Sequence, residues 1–585
     1  MTRACQAAIR GALLICLLSP AAPLLAQKAT AKSADQKPPA AAPAPVPAAD
    51  PVLEAMQAEL ARSRDQLQLE QMQRPYYIEY VVTDLDLYTA EAAFGAVRVE
   101  QRQRARLLRA VVRIGDYKQD SYFGAGQGSI DLMPIDGDVQ ALRHQLWLAT
   151  DKAYKMAIEA FTRKQAALKQ FESATTPSDD FSHEEPAFYE APVQKLDFDA
   201  AKWRGLLESA TALYRSDPDV QLLVAHAMFR EQTRYLVNSE GTVLRRSEPL
   251  YAVNVQGETQ APDGMRLERS RSFVVGAAAE LPSPEQYRAA AEQVVAQLAE
   301  LRKAPLVDDE YHGPVLFSSD AAGNVFARLI APSVAGRKPG PGTTSRTLGE
   351  YASSYKSRVL PDFISLVDDP TVSVFGGRTL LGSYQYDDEG VKARAVNVVQ
   401  KGELVSYLLG RQPIRDFPSS NGHGRGPGMM APMPHVGNLF VNVSTPQTFA
   451  AMRQKLIDIC RDRGLPYGYY VKALGGAGLG LAPGILYRVW VNDGREELVR
   501  GAEFSQLDAR ALRNDLIAAG DDPKVDNHAE VVNYSVIAPS ILMGELVIKP
   551  SAQAKDKLPQ YPAPGTKVAL QAPGTTSPGG AAQHP

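Results

Sequence analysis

Gly382-Ser383-Tyr384-Gln385-Tyr386-Asp387-Asp388-Glu389-Gly390-Val391 sets three consecutive carboxylates before a glycine. Glycine takes positive φ at no steric cost, so Asp387 to Gly390 reads as a tight turn between strands. The same oxygens suit a hard cation, which makes Asp388 a candidate binding residue.

Working outward, the text from Gly313 onward is strand-rich and punctuated by glycine. Strands are expected at Gly313 to Phe317, Phe363 to Val367, Ala395 to Val399, Leu404 to Leu409, Leu439 to Val443, Tyr467 to Leu474, Ile485 to Val491, Glu497 to Arg500 and Leu542 to Ile548. Ser319 or Asp320 is expected to cap a helix through about Ala335, and Phe449 to Arg463 carries Met452, Leu456 and Ile459 at helical spacing. The result is a β-rich C-terminal domain over 305–550, an antiparallel sheet or open barrel.

Residues 51–304 read as an N-terminal domain of antiparallel sheet and helices, so the whole chain is α+β. Helices are expected from Pro51 to Met72 and Lys202 to Ser209, and a long helix or helical pair from Val139 to Phe171, with strands at Tyr76 to Val82, Ala96 to Glu100 and Ala105 to Ile114. Arg98, Glu100, Arg102, Arg104 and Arg106 recur with period two and read as a solvated sheet face. Further strands fall at Ala225 to Val237, Thr242 to Arg246, Tyr251 to Glu258 and Arg266 to Val275, with a hairpin turn at Asn238-Ser239-Glu240-Gly241. Ser283-Pro284-Glu285-Gln286 is a capping-box arrangement opening a helix to about Lys303.

The ends differ. Met1 to Ala26 reads as a secretory signal, with Arg3 and Arg10 ahead of the short apolar core Gly11 to Leu18. Residues 27–50 and 551–585 are rich in Ala and Pro and read as disordered spacers. The 585 residues carry 63 Lys and Arg against 66 Asp and Glu, a net charge of −3, which argues against a charge-driven nucleic-acid binder. No apolar run reaches the ~18 residues of a membrane span, so none is expected once the signal is removed. Cys5 and Cys16 leave with the signal, and Cys460 alone cannot close an intramolecular disulfide. Gly475 to Gly480 opens no βαβ unit, and no Gly-x-Ser-x-Gly elbow occurs.

The run 382–391 resembles a signature of the TldD/PmbA family of metallopeptidase-related proteins. Asn238-Ser239-Glu240-Gly241, Gly313-Pro314-Val315-Leu316, Leu366-Val367-Asp368-Asp369-Pro370, Lys401-Gly402-Glu403-Leu404, Asn421-Gly422-His423-Gly424-Arg425 and Ala538-Pro539-Ser540-Ile541-Leu542 fall in the family's order. For the active branch the resemblance implies zinc, held by a His-Glu-x-x-x-His helix after the Gly-Pro strand and a cysteine near the C-terminus. Counted without gaps from Gly313, those positions hold Ala327, Arg328 and Pro332, and no cysteine follows Cys460. No metal or other cofactor is therefore expected, and the chain is closer to the metal-free PmbA-type branch.

What the resemblance implies is a non-catalytic subunit in peptide processing, paired with itself or with an active homologue. Export would place it in the periplasm or outside the cell. Two alternatives stay open: a metallopeptidase with a site relocated to His423, His435 and His528, or an exported ligand-binding protein. Candidate binding residues are His423 and Arg425, in a polar glycine loop, with His435 and Asp388. His183-Glu184-Glu185 lacks a second histidine at ligand spacing and reads as loop.

Overall fold

The computed structural model of the chain describes residues 50–69, 71–170, 178–475, 481–552, 556–561 and 564. The expected signal, nearly all of the spacer over 27–50, Gly476 to Gly480 and most of the tail lie outside the described residues.

Long strands make the N-terminal sheet. Tyr77–Ala93 and Ala96–Arg113 pair antiparallel through the two-residue turn Phe94-Gly95, at φ +54° and +80°. Two left-handed residues match the right-handed twist of a hairpin. Val220–Asn238, Val243–Gln260 and Arg266–Val275 continue the sheet in that order beyond Tyr77–Ala93. The two expected strands within 96–114 are one, as are those within 242–258. Across the hairpin, Arg102 meets Asp86 and Arg106 meets Asp84, so the period-two arginines form a cross-strand ion ladder.

One face of this sheet carries helices. Pro51–Gln66 and Val139–Gln170 cover Ile78, Tyr80 and Val82. Ala200–Thr211 and Pro284–Lys303 cover Tyr88, Ala90 and the strands beyond. The capping box at Ser283 forms on both sides, Gln286 N donating to Ser283 Oγ (3.2 Å) and Ser283 N to Gln286 Oε1 (2.9 Å). The opposite face meets C-terminal loops, as at Val81, Leu236 and Tyr386.

The C-terminal part has two large sheets, beside the two-stranded ribbons Val374–Phe375 with Arg378–Thr379 and Gly424–Arg425 with Met433–Pro434. Six strands run in the order Glu403–Leu404, Val396–Gln400, Ile364–Asp368, Asn438–Val443, Asn533–Ala538, Lys524–Ala529. A seven-stranded sheet is built around Tyr467–Gly475, Tyr311–Phe317 and Ile541–Pro550. The sheet curls into a half-barrel, in line with the expected open barrel. Each large sheet holds one parallel pair, Asn438–Val443 with Asn533–Ala538 and Tyr311–Phe317 with Tyr467–Gly475. Between the sheets runs the helix Ser319–Val325, whose Ala321, Ala322 and Val325 join Phe317, Leu366, Val471 and Val536 in one core. Phe449–Asp462 packs outside it on Leu316 and Leu542. Among the described residues no helix is long and apolar enough to cross a membrane, which says nothing of a β-barrel.

Candidate functional site

The helix that would carry zinc ligands starts one residue earlier than the sequence suggests. Ser318 is its N-cap, Ala321 N donating to its Oγ at 3.1 Å. The helix also stops early, because Phe326–Ile330 widens into a π-turn closed by Ala331 N donating to Phe326 O (3.0 Å). Ala327 is 5% exposed and fills the core, while Pro332 lies exposed in the turn beyond. The Arg328 guanidinium lies near His528 and Tyr534, where it opposes only weakly the upward shift of both groups. A methyl group, a guanidinium and an exposed ring do not fit zinc.

Strand Lys524–Ala529 faces this helix. Asn324 Nδ2 donates to Asp526 Oδ2 at 2.8 Å, and His528 Nε2 sits 3.0 Å from the same oxygen, an ion-pair contact poorly aligned for a hydrogen bond. Burial lowers the His528 pKa, but the Asp526 carboxylate outweighs it and the net shift is upward. The His528 ring stacks on Tyr534 at 4.5 Å, and His435 meets the same tyrosine at 5.1 Å. His435 is pushed down by burial. Tyr534 thus lies between the two imidazoles, and His423 is elsewhere. Among the described residues no group of three or more His, Cys, Asp or Glu is placed to hold a metal. Cys460 is buried beside Tyr311, and burial pushes its thiol up to about 11.

The run 382–391 makes the expected turn, with Gly390 at φ +85° and Asp387 N donating to Val391 O (2.8 Å). It is not at the surface. Asp388 is 4% exposed and faces three guanidinium groups: Arg234, Arg246 and Arg425. Gly426 N donates to its Oδ2 at 2.7 Å. Burial alone would raise the Asp388 pKa, yet these cations hold it well below the usual carboxylate range. The oxygens read as possible cation ligands are spent on arginines. Arg234 and Arg246 lie on sheet strands of the N-terminal part, so the turn fastens the two parts of the chain.

Asp387 Oδ1 accepts from Glu389 N and Val391 N, and its Oδ2 from Gly424 N. Three backbone donors favour its anion against burial, which pushes it up to about 6. Glu389 accepts one, from Arg411 N (2.6 Å), and burial together with Asp387 pushes it up to about 8. Glu389 therefore holds its proton more tightly than an ordinary glutamate. Gly424 is required beside it, because a Cβ there would collide with the Glu389 carboxyl.

A pH dependence follows. Between the ordinary glutamate range and about pH 8 the unfolded chain releases this proton while the folded chain keeps it. Stability contributed by Glu389 therefore falls as pH rises through that window, by up to ~1.4 kcal/mol per unit. Glu389→Gln removes the linkage while keeping the shape. Its urea midpoint is expected to vary less with pH across that window than the parent's, and an unchanged slope would assign the effect to another group.

The loop 421–425 is likewise buried. His423 is fully enclosed, Nε2 lying 3.0 Å from Asp368 Oδ1 and Nδ1 3.0 Å from Asn421 O. Asp368 also accepts from Gly437 N on both oxygens, at 3.0 and 3.1 Å. Arg425 stacks over Tyr384 at 4.2 Å. Of the four candidate binding residues the structure joins Asp388 and Arg425 directly. His423 and His435 touch only through the backbone, His435 N donating to His423 O (3.0 Å).

A site the sequence did not suggest lies between the two parts of the chain. A cavity of about 650 Å³ separates strand Arg266–Val275 and helix Pro284–Lys303 from strands Tyr467–Gly475 and Ala482–Trp490. Ser318 and Asp320 border it, so it opens beside the N-terminus of the central helix.

Comparison with known proteins follows the same division. Residues 310–550 match the family described as PmbA/TldA metallopeptidase C-terminal domain. A metalloprotease of Archaeoglobus fulgidus is 26% identical over 163 residues, covering 27% of this chain and 35% of the relative. A metalloprotease of Methanocaldococcus jannaschii is 31% identical over 85 residues, 14% of this chain and 18% of the relative. The chain thus spans little more than a third of these relatives at most. Among solved structures, a Thermotoga maritima protein named as a candidate modulator of DNA gyrase superposes with TM-score 0.56 at 14% identity, covering 85% of this chain and 99% of its own. TldE of Thermococcus kodakarensis gives 0.55 at 12% identity, covering 85% and 100%. These structural likenesses carry the fold alone.

Proposed function

The chain belongs to the TldD/PmbA family, and from that premise we propose that it is an exported, non-catalytic subunit of peptide processing. One observation carries the reading: where a metallopeptidase of this kind would hold zinc and a water-activating carboxylate, the chain has a buried methyl group at Ala327, a guanidinium at Arg328 and an exposed ring at Pro332. A zinc hydrolase needs about three protein ligands and a nearby base, and neither is provided there. Residues 1–26 then act as a leader, 27–50 and 551–585 as spacers, and 51–304 and 305–550 as two units working in the periplasm or outside the cell. The partner is a second copy or a homologue that keeps the zinc ligands.

The experiment is metal analysis of the purified full chain after incubation with excess zinc and desalting. Retained zinc below ~0.1 per chain is expected, against the near-stoichiometric loading of a true site. No peptide hydrolysis sensitive to a chelator should accompany it. Tight stoichiometric zinc with chelator-sensitive hydrolysis would overturn the reading. The cavity beside the central helix favours a second one, an exported binding protein in which the peptidase scaffold holds a ligand without cleaving it.

A further inference from the structure

Most charged groups that line the cavity between the two parts of the chain are already matched. Arg500 pairs with Asp263, Lys524 with Asp320, Glu503 with Lys549 and Arg266 with Asp556. Glu268 accepts from Gln256 Nε2 at 3.0 Å, and burial together with the neighbouring Glu258 raises its pKa. Arg269 and Arg271 differ. Arg269 spends its guanidinium on backbone, donating to Glu268 O and Gly484 O, and among the described residues its buried Nε meets no acceptor. Arg271 makes no hydrogen bond or ion pair among the described residues, and the carboxylate that acts on it from a distance, Asp320, is held by Lys524. Burial pushes Arg269 down to about 10, with Glu268 opposing only in part, and it lowers Arg271 as well. Each guanidinium has given up water without gaining an anion in return.

The two arginines share a side. Arg269 and Arg271 are two apart on strand Arg266–Val275, so both leave the face that helix Pro284–Lys303 covers. Arg269 stands opposite Gly257, where a Cβ would strike Leu298 and Val294 of that helix at 2.7 and 3.1 Å. Arg271 stands opposite Val255, which packs in the same core. Same-face neighbours on a strand lie about 7 Å apart, a spacing at which two guanidinium forks can grip one oxyanion from either side. The helix adds Gln293 and Gln297, one turn apart, which line the same cavity and make no hydrogen bond among the described residues. Their carboxamides are donors that bring no charge. A carboxylate has two oxygens in one plane, whereas a phosphoryl group turns three toward the protein, enough for both forks and the amides. The volume of about 650 Å³ suits a small ligand.

We propose that this cavity binds the phosphoryl group of a small ligand, its oxygens held by Arg269 and Arg271 from the strand and by Gln293 and Gln297 from the helix. The inference deepens the second reading above, a scaffold that holds a ligand, and rests on it.

The experiment is calorimetric titration of the purified full chain, at constant ionic strength in chloride, with inorganic phosphate, glycerol 3-phosphate and glycerol. Saturable binding of both phosphates is expected and none of glycerol. Tighter binding of glycerol 3-phosphate would assign the site to an ester and equal affinity to phosphate itself, and either outcome supports the proposal. Arg271→Gln should weaken both phosphates at least tenfold. It removes no hydrogen bond or ion pair, so its melting temperature should hold or rise. Arg271→Lys keeps the charge without the fork and should fall between that variant and the parent. Arg269→Gln should weaken binding as much, at some loss of melting temperature because the contact with Gly484 O goes too. No saturable phosphate binding at millimolar concentration, glycerol bound as tightly as its phosphate, or unchanged affinity in Arg271→Gln would each overturn the proposal. Zinc and hydrolysis measured on the same preparation keep the claims apart. A zinc-loaded, hydrolysing chain that binds phosphate loses only the non-cleaving assignment, whereas a zinc-free chain that ignores phosphate loses only this site.

Discussion

Asp388→Asn is expected to cost the folded chain about 3–5 kcal/mol, the range found when one partner of a buried ion pair is removed. The parent site sets Asp388 and Glu248 among Arg234, Arg246 and Arg425, so it already carries one cation more than anions. Arg425 Nη1 has no hydrogen-bond partner even with Asp388 present. Neutralising the aspartate leaves three desolvated guanidinium groups around a single carboxylate. Asparagine keeps the size and an acceptor for Gly426 N, so the loss is read as charge rather than as a cavity. Urea denaturation measures it, with soluble yield as a companion readout. Arg246→Gln added to Asp388→Asn should recover about 1–2 kcal/mol by removing one uncompensated cation. A single variant within about 1 kcal/mol of the parent, or a double variant no better than the sum, would show that the cluster is not held by this carboxylate.

That cluster explains what was legible in the sequence and what was not. The turn 387–390 announced itself through Gly390, and the helix 284–303 through Ser283, Pro284 and Gln286, because both are decided by residues a few positions apart. Burial of the turn is decided elsewhere. Arg234 and Arg246 come from strands of a different sheet, and nothing near Asp388 in the chain records that they will meet it. The loop 421–425 misled for the same reason: glycines beside histidine and arginine suit an exposed turn, yet Gly424 is there because Glu389 leaves no room for a Cβ. Strands Lys524–Ala529 and Asn533–Ala538 were missed because Asp526, Asn527, His528 and Ser535 break any apolar alternation. Asp526, Asn527 and Ser535 are matched across the sheet and the helix, as where Ser535 Oγ donates to Asn527 Oδ1 at 2.7 Å. The π-turn at 326–330 carries no local signal at all. The cavity needed both halves, since strands Arg266–Val275 and Tyr467–Gly475, which border it, belong to separate sheets.

Arg411→Met is expected to cost a similar ~3–5 kcal/mol at the second junction between the two parts of the chain. The chemistry begins in the turn Asn238–Gly241. Asn238 Oδ1 accepts from Glu240 N and Thr242 N, both at 3.1 Å, and Gly241 takes φ +105°, so the turn has one shape and Glu240 one direction. Arg411, 1% exposed on its side chain, then engages Glu240 with two nitrogens, each at 2.7 Å. Its plane lies over Phe181 at 3.9 Å and it also donates to Ser182 O. Methionine fills much of the volume but leaves the Glu240 carboxylate with a single side-chain donor among the described residues, the Tyr117 hydroxyl at 2.9 Å. Adding Glu240→Gln removes the stranded charge and should restore about half of the loss, the rest reflecting Ser182 O and the ring contact. Urea midpoints of the two singles and the double complete the cycle. A double variant as unstable as the sum of the singles would mean that Arg411 acts through Ser182 and Phe181 alone, and that the fixed shape of the turn serves something other than this ion pair.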